Sequence, residues 1–182
     1  MKAKVMAAVG VRQLVGFEID MVDEDEPAGE LSRWLPYLPI PVTGVPTPEV
    51  LLYPVEDHVA DKLAAMGTLH TRNGAVIAST RYRDLADLAL IATSLPVEAE
   101  PLLAALTAPA RHWARDTFAG IGLRAPDPQW PARYADLARS EPSVAEHWPT
   151  IDEALAAAKP LVDPALAGTA RGRWNPTTAT WV

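Results

Sequence analysis

The sequence predicts an α+β fold, with strands in the first fifty or so residues and helices after them. Three observations predict it. Residues 13–22 read QLVGFEIDMV and alternate apolar Phe17, Ile19 and Met21 with acidic Glu18 and Asp20, the period of a strand. Prolines at 36, 39, 41, 46, 48 and 54 leave no room for a long helix across residues 31–54. From residue 55 onward, apolar side chains recur at helical spacing.

The chain has 182 residues, of which 49% are hydrophobic and 21% charged, a composition that builds a globular core and excludes disorder throughout. At this length one domain is expected, with room for a small appendage. No apolar run approaches the roughly 18 residues of a membrane helix. Arg12 and Gln13 interrupt any signal-like core near the start. There is no cysteine, so disulfides and thiolate metal sites are excluded and a cytoplasmic location is expected. The formal net charge of −7 argues against extended nonspecific nucleic-acid binding, while leaving open a local basic groove on an acidic body.

Taken in order, the strand over residues 13–22 places Glu18 and Asp20 on one face. The acidic run Asp23, Glu24, Asp25 and Glu26, closed by Pro27 and Gly29, reads as a solvated turn. Residues 50–53 form a short strand at a sheet edge or wrapped over it. Val55, Val59, Leu63 and Met66 then fall on one helical stripe. Pro54 precedes that helix, Glu56 and Asp57 favour its first turn, and Gly67 ends it. Residues 68–78 read as a polar loop. Ser79 is placed to cap a second helix through about residue 93. Shorter helices follow over residues 99–106, 110–118 and 129–139. Ser143 and Glu146 match a capping box, and residues 151–159 form an alanine-rich helix. The tail beyond Gly168 is either a docked arm or a frayed end.

Chemistry concentrates on the two central helices. Lys62 is the one lysine between Lys4 and Lys159, as though position 62 wants an ammonium. On a wheel with Val59 at zero, Lys62 lies at about −60°, bordering the buried stripe, so its stem packs while its head reaches a cleft. With Leu85 at zero on the second helix, Asp84 lies at about −100° and Arg81 at about −40°, within the apolar arc, while Asp87 lies outside it. A carboxylate on a buried arc needs a partner, and Arg81 or Lys62 can supply it. Two readings stand open: an ion pair that pins two helices, or a functional pair. Glu18 and Asp20 together have the chemistry to hold a divalent cation with waters, although a polar outer strand face is the commoner reason for such a pair. The four histidines show no zinc spacing, and there is no P-loop, GxGxxG or GxSxG motif. Residues 56–58 (Glu, Asp, His) point in different directions on a helix. The tryptophans and tyrosines between 113 and 148 read as core and groove fillers.

Residues 53–66, YPVEDHVADKLAAM, and 79–88, STRYRDLADL, together resemble the AbiEii/AbiGii-type nucleotidyltransferase toxins, a group that includes the MenT-like toxins. In that family the first helix holds an essential lysine and the second an essential aspartate. Lys62 and Asp84 occupy the matching positions, and Arg83 stands where a lysine is common. The resemblance implies a partial polymerase-β-like palm, a small mixed sheet, over residues 1–95 and a helical region packed on it over residues 96–182. It implies transfer of a nucleotide from a nucleoside triphosphate to an acceptor such as a tRNA 3′ end. Lys62 and Asp84 would then be catalytic, Lys62 and Arg81 nucleotide-binding, and Asp20, with Glu18, metal-binding. The implied cofactor is Mg2+ and the implied partner an antitoxin, with no membrane.

The family's Gly-Ser helix start and Asp-x-Asp strand have no clear counterpart in the sequence. The chain therefore reads as an N-terminally shortened member, and the alternative is an inactive protein that binds a partner or, weakly, a nucleotide. Three further expectations follow from these readings. Lys62 and Asp84 should lie within about 10 Å across one cleft. The chain by itself should transfer little. The N-terminal strand should drive self-association.

Overall fold

In the computed structural model, residues 2–20, 27–35, 47, 49–72, 74–109, 111, 117–118 and 120–182 are described. The α+β class holds: helices alternate with short ladders, and every ladder among the described residues is antiparallel.

The chain opens with a hairpin of β1 (Lys2–Val9) and β2 (Arg12–Asp20). The predicted strand over residues 13–22 is thus β2, and residues 21 and 22 lie outside the described residues, as does the acidic run 23–26. β1 was not expected, because its alanines and lysines give a weak alternation. Val5 faces Phe17 and Ala3 faces Ile19 across the ladder, while Lys4 faces Glu18 and Lys2 faces Asp20. The ribbon is therefore amphipathic, with positions 18 and 20 on its charged face. A second hairpin pairs β3 (Ser32–Trp34) with β4 (Val50–Leu52), so residues 50–52 are strand as predicted. The prolines at 36, 39, 41, 46 and 48 lie outside the described residues.

Helix α1 (Val55–Gly67) begins after Pro54, carries Glu56 and Asp57 in its first turn and has Gly67 as its last residue. The predicted polar loop contains a third hairpin instead: β5 (His70–Arg72) pairs with β6 (Ala75–Ile77). Its two-residue connection ends in Gly74 at φ 79°, the left-handed conformation such tight turns require. The Asn-Gly pair was the legible signal, and the polar sequence of β5 and the three-residue length of both strands concealed the ladder.

Helix α2 (Tyr82–Ser94) starts three residues beyond Ser79, with no side-chain cap. Ser79 does not cap it. Its hydroxyl, buried, donates to the Ala65 carbonyl at 2.7 Å and accepts from the Arg81 N–H at 3.2 Å, tying the approach to α2 back onto α1. β7 (Val97–Glu98) leads into α3 (Ala99–Thr107). Of the helix expected over residues 110–118, only 111, 117 and 118 are described. α4 (Trp130–Ser140) matches expectation.

α5 (Pro142–His147) has Glu141 at its N-cap and no side-chain cap bond, so Ser143 and Glu146 make no capping box. The capping box belongs to α6 (Ile151–Leu166), where the Thr150 hydroxyl accepts from the Glu153 N–H and Glu153 accepts from the Thr150 N–H. α6 also runs past its expected end, through Pro160 and Pro164. An interior proline costs about 3 kcal/mol. Burial of Ala154, Ala158, Leu161, Val162 and Ala165 in the core offsets it. The tail is a docked arm: β8 (Arg173–Asn175) pairs with β7 and with β9 (Thr180–Trp181). Trp174 is fully buried there and donates its indole N–H to the Ala92 carbonyl at 2.8 Å.

One core joins these helices. Val59, Leu63 and Met66 of α1 meet Leu85, Leu88 and Ile91 of α2, Leu102 and Leu106 of α3, Tyr134 of α4 and Leu161 of α6. Holding α1 against α2 in this way is what brings their polar borders together.

Candidate active site

Lys62 leaves α1 at the edge of the stripe formed by Val59, Leu63 and Met66, and Asp84 leaves the first turn of α2 beside buried Leu85. Packing of the two stripes brings the two side chains into contact. The Lys62 Nζ lies 3.4 Å from Asp84 Oδ1 and 2.6 Å from Asp87 Oδ2. The Lys62 side chain is 19% exposed, Asp84 13% and Asp87 40%. The expected proximity of Lys62 and Asp84 is met, and Lys62, not Arg81, is the partner of Asp84.

Asp87 was missed because it falls outside the apolar arc. The signal that could have found it is its i,i+3 spacing from Asp84, which puts two carboxylates side by side on one helix surface. A single ammonium thus stands against two carboxylates, and Lys62 itself lines a small opening with Tyr53, His58 and Asp61. Arg81, Thr80, Tyr82, Arg83, Asp84, Asp136, Leu137 and Ser140 line the adjoining opening, of about 370 Å³. Arg83 is drawn aside by Glu141 at 2.7 Å, and that hydrogen bond raises its already high pKa. Arg81 stays exposed at the start of α2.

A second, more deeply buried network lies one turn back on α1. The Arg111 guanidinium donates to Asp57 at 2.6 Å, to the Tyr53 hydroxyl at 2.7 Å and to Asp61. Tyr53 in turn donates to Asp61 at 2.9 Å. Burial and the neighbouring Asp61 carboxylate push the Tyr53 hydroxyl up to about 12. Asp57, fully buried, also accepts the N–H groups of Ala28 and Gly29 at 2.8 and 3.0 Å. Residues 56–58 do diverge as expected: Glu56 accepts the Glu98 N–H, and His58 tilts against the Tyr53 ring. The i,i+4 pair Asp57 and Asp61 was visible in the sequence. Its arginine, fifty residues on, was not.

Glu18 sits on the exposed hairpin and pairs with Lys2 at 3.6 Å and Lys4 at 3.8 Å. Asp20 ends β2, and its side chain lies outside the described part of the chain. Among the described residues no group of three or more histidines, aspartates or glutamates is arranged to hold a metal ion. The carboxylates that are described do not fit a magnesium centre, because Lys62 stands against Asp84 and Asp87 while Lys2 and Lys4 face Glu18. No described helix is long and apolar enough to cross a membrane.

The family model of the AbiEii nucleotidyl transferase toxin, Type IV TA system, matches residues 3–157. The chain belongs to this family. The match spans the first hairpin, both central helices and the site between them. No curated protein and no solved structure matches the chain. The AbiEii family is one of toxin-type nucleotidyltransferases of toxin–antitoxin systems, and the Lys62–Asp84 pair lies within the matched residues.

Proposed function

We propose that this AbiEii member transfers a nucleotide from a nucleoside triphosphate to an acceptor hydroxyl, with a tRNA 3′ end as the acceptor. The observation that carries the reading is the 3.4 Å approach of Lys62 to Asp84, which lines one opening together with the exposed Arg81. In such a transfer the acceptor oxygen attacks the α-phosphorus, the bond to the bridging oxygen breaks, and pyrophosphate leaves. Negative charge grows on the leaving group and must be met by fixed cations. Lys62 is held extended by Asp84 and Asp87 and is poised to exchange one carboxylate for a phosphate oxygen. Arg81 offers a planar fork for a second oxygen. Asp84, freed in that exchange, orients the acceptor hydroxyl or accepts its proton. Magnesium enters this reading as the counter-ion of the triphosphate. The setting is the cytoplasm, and the partner is the antitoxin of the pair.

A second reading has its own observation. The ammonium of Lys62 is paired with two carboxylates, which suits a protein that binds a partner without turning over. Incubation with α-labelled triphosphates, magnesium and total tRNA separates the two. Label incorporation that is lost in Lys62→Ala and in Asp84→Asn supports transfer. Absence of label from the wild-type chain under all four triphosphates, the outcome expected from the missing Gly-Ser and Asp-x-Asp motifs, overturns transfer by this chain and supports the second reading.

A further inference from the structure

A cavity of about 410 Å³ opens where β6, the start of α2 and the start of α4 meet, a volume in the range of small-molecule sites. Its floor is apolar and fixed. The Tyr82 ring meets Trp130 edge-on at 6.3 Å, and Trp130, almost fully buried, donates its indole N–H to the Ser79 carbonyl at 2.8 Å. Ser79 is itself tied to Ala65 of α1. Ile77, about half exposed, completes the floor from the end of β6. Tyr82 and Trp130 are held in place by their neighbours, so a ligand landing on them need not order them.

Two opposite charges line the same cavity without meeting. Arg133 lies one turn into α4 and Asp127 just ahead of that helix. They form no ion pair with each other or with any other described residue. Asp127 Oδ1 accepts the Gln129 N–H at 2.7 Å, which fixes the carboxylate and leaves Oδ2 without a partner among the described residues. Arg133 is exposed, and its one hydrogen bond runs from its backbone N–H to the Gln129 carbonyl. A simple anion here would meet Arg133 but be repelled by Asp127, and a simple cation the reverse. A molecule that carries both charges satisfies both, and an apolar body on it covers the floor.

We infer that this cavity binds a zwitterionic α-amino acid with an apolar side chain. Its carboxylate lies on the Arg133 fork, its ammonium on Asp127 Oδ2, and its side chain against Ile77 and the Tyr82 ring. The inference goes beyond the transfer reading and does not depend on it, since neither a nucleotide nor the Lys62–Asp84 pair enters it. Thr80 and Tyr82 also line the opening beside Asp84, so the amino acid sits next to the candidate active site.

The test is isothermal titration of the full chain with L-leucine and L-phenylalanine, each as the free amino acid, as its amide, which lacks the carboxylate, and as its N-acetyl derivative, which lacks the ammonium. Saturable binding of at least one free amino acid is expected, with both of its derivatives weaker by about tenfold or more. Arg133→Gln should weaken the free amino acid by a similar factor and leave the amide unmoved. Asp127→Asn keeps the Oδ1 acceptor for the Gln129 N–H, and should weaken the free amino acid while leaving the N-acetyl derivative unmoved. The derivatives decide the matter on the wild-type chain even if a variant fails to fold. Three outcomes overturn the inference: no saturable binding of either free amino acid, a derivative that binds as well as its parent, or wild-type affinity for the free amino acid in folded Arg133→Gln. These titrations contain no triphosphate or tRNA, so their failure leaves label transfer standing, and failed transfer leaves the amino-acid site standing.

Discussion

Lys62 makes its closest contact with Asp87, at 2.6 Å, and a longer one with Asp84, at 3.4 Å. The more exposed carboxylate therefore holds the lysine, and the more buried one is held less firmly. Removing Asp87 charge should hand the ammonium to Asp84. Asp87→Asn is expected to cost under about 1 kcal/mol, since that carboxylate is 40% exposed. Lys62→Met strips the mostly buried Asp84 of its partner and should cost roughly 1–3 kcal/mol. Urea midpoints at constant m-value would decide it. A larger loss in Asp87→Asn than in Lys62→Met would invert the assignment.

The buried network predicts a sharper contrast. Arg111 compensates Asp57, which has no access to solvent. Arg111→Met should leave that charge unpaired and destabilise the fold by about 3–5 kcal/mol. Arg173 pairs with Glu98 at the surface, and Arg173→Met should move stability by under about 1 kcal/mol. Comparable losses in the two variants would show that Arg111 is not an organising residue.

Alkaline pH offers a test through Tyr53. Its hydroxyl titrates near 12 in the fold, above the ordinary value of 10.0, because burial disfavours tyrosinate and Asp61 repels it. A folded-state pKa above the unfolded one adds stability that is complete below pH 10 and lost as pH rises toward 12. Tyr134, raised to about 12 by burial and by Glu153, adds a second step of the same sign. Denaturation followed across this window should show Tyr53→Phe losing less stability on alkalinisation than the wild type. Tyrosinate absorbance from all the tyrosines with a single midpoint near pH 10 would contradict both shifts.

The first hairpin should self-associate. Val15, Phe17 and Ile19 of β2 are each about half exposed, and β2 has only β1 as a neighbour among the described residues. An isolated two-stranded ribbon is marginal and gains by covering its apolar face. Burying each such side chain is worth about 1.5–3 kcal/mol, against far less for a screened surface charge pair. Light scattering should show a dimer or larger species in the wild type and a monomer in the double variant Phe17→Lys, Ile19→Lys. A wild-type monomer at high concentration and every salt would mean that this face is covered within the chain.

Local patterning determined much of this protein. The stripe Val59, Leu63 and Met66 and the arc around Leu85 set where two helices begin, which faces they bury, and that Lys62 and Asp84 stand at the borders of those faces. Alternation in residues 17–20 set the faces of β2. These features depend on neighbours in sequence, and helix and strand periods impose them whatever the rest of the chain does. Tertiary structure decided the pairings. It chose Asp87 as the closer partner of Lys62, sent Ser79 back to Ala65 where a helix cap was expected, and carried α6 through two prolines because its buried face outweighed their cost. It also brought Arg111 to Asp57 and seated Trp174 under Ala92, across 54 and 82 residues of chain. Contacts at such separations depend on how the elements pack, which the buried area of all of them settles together and no local period encodes.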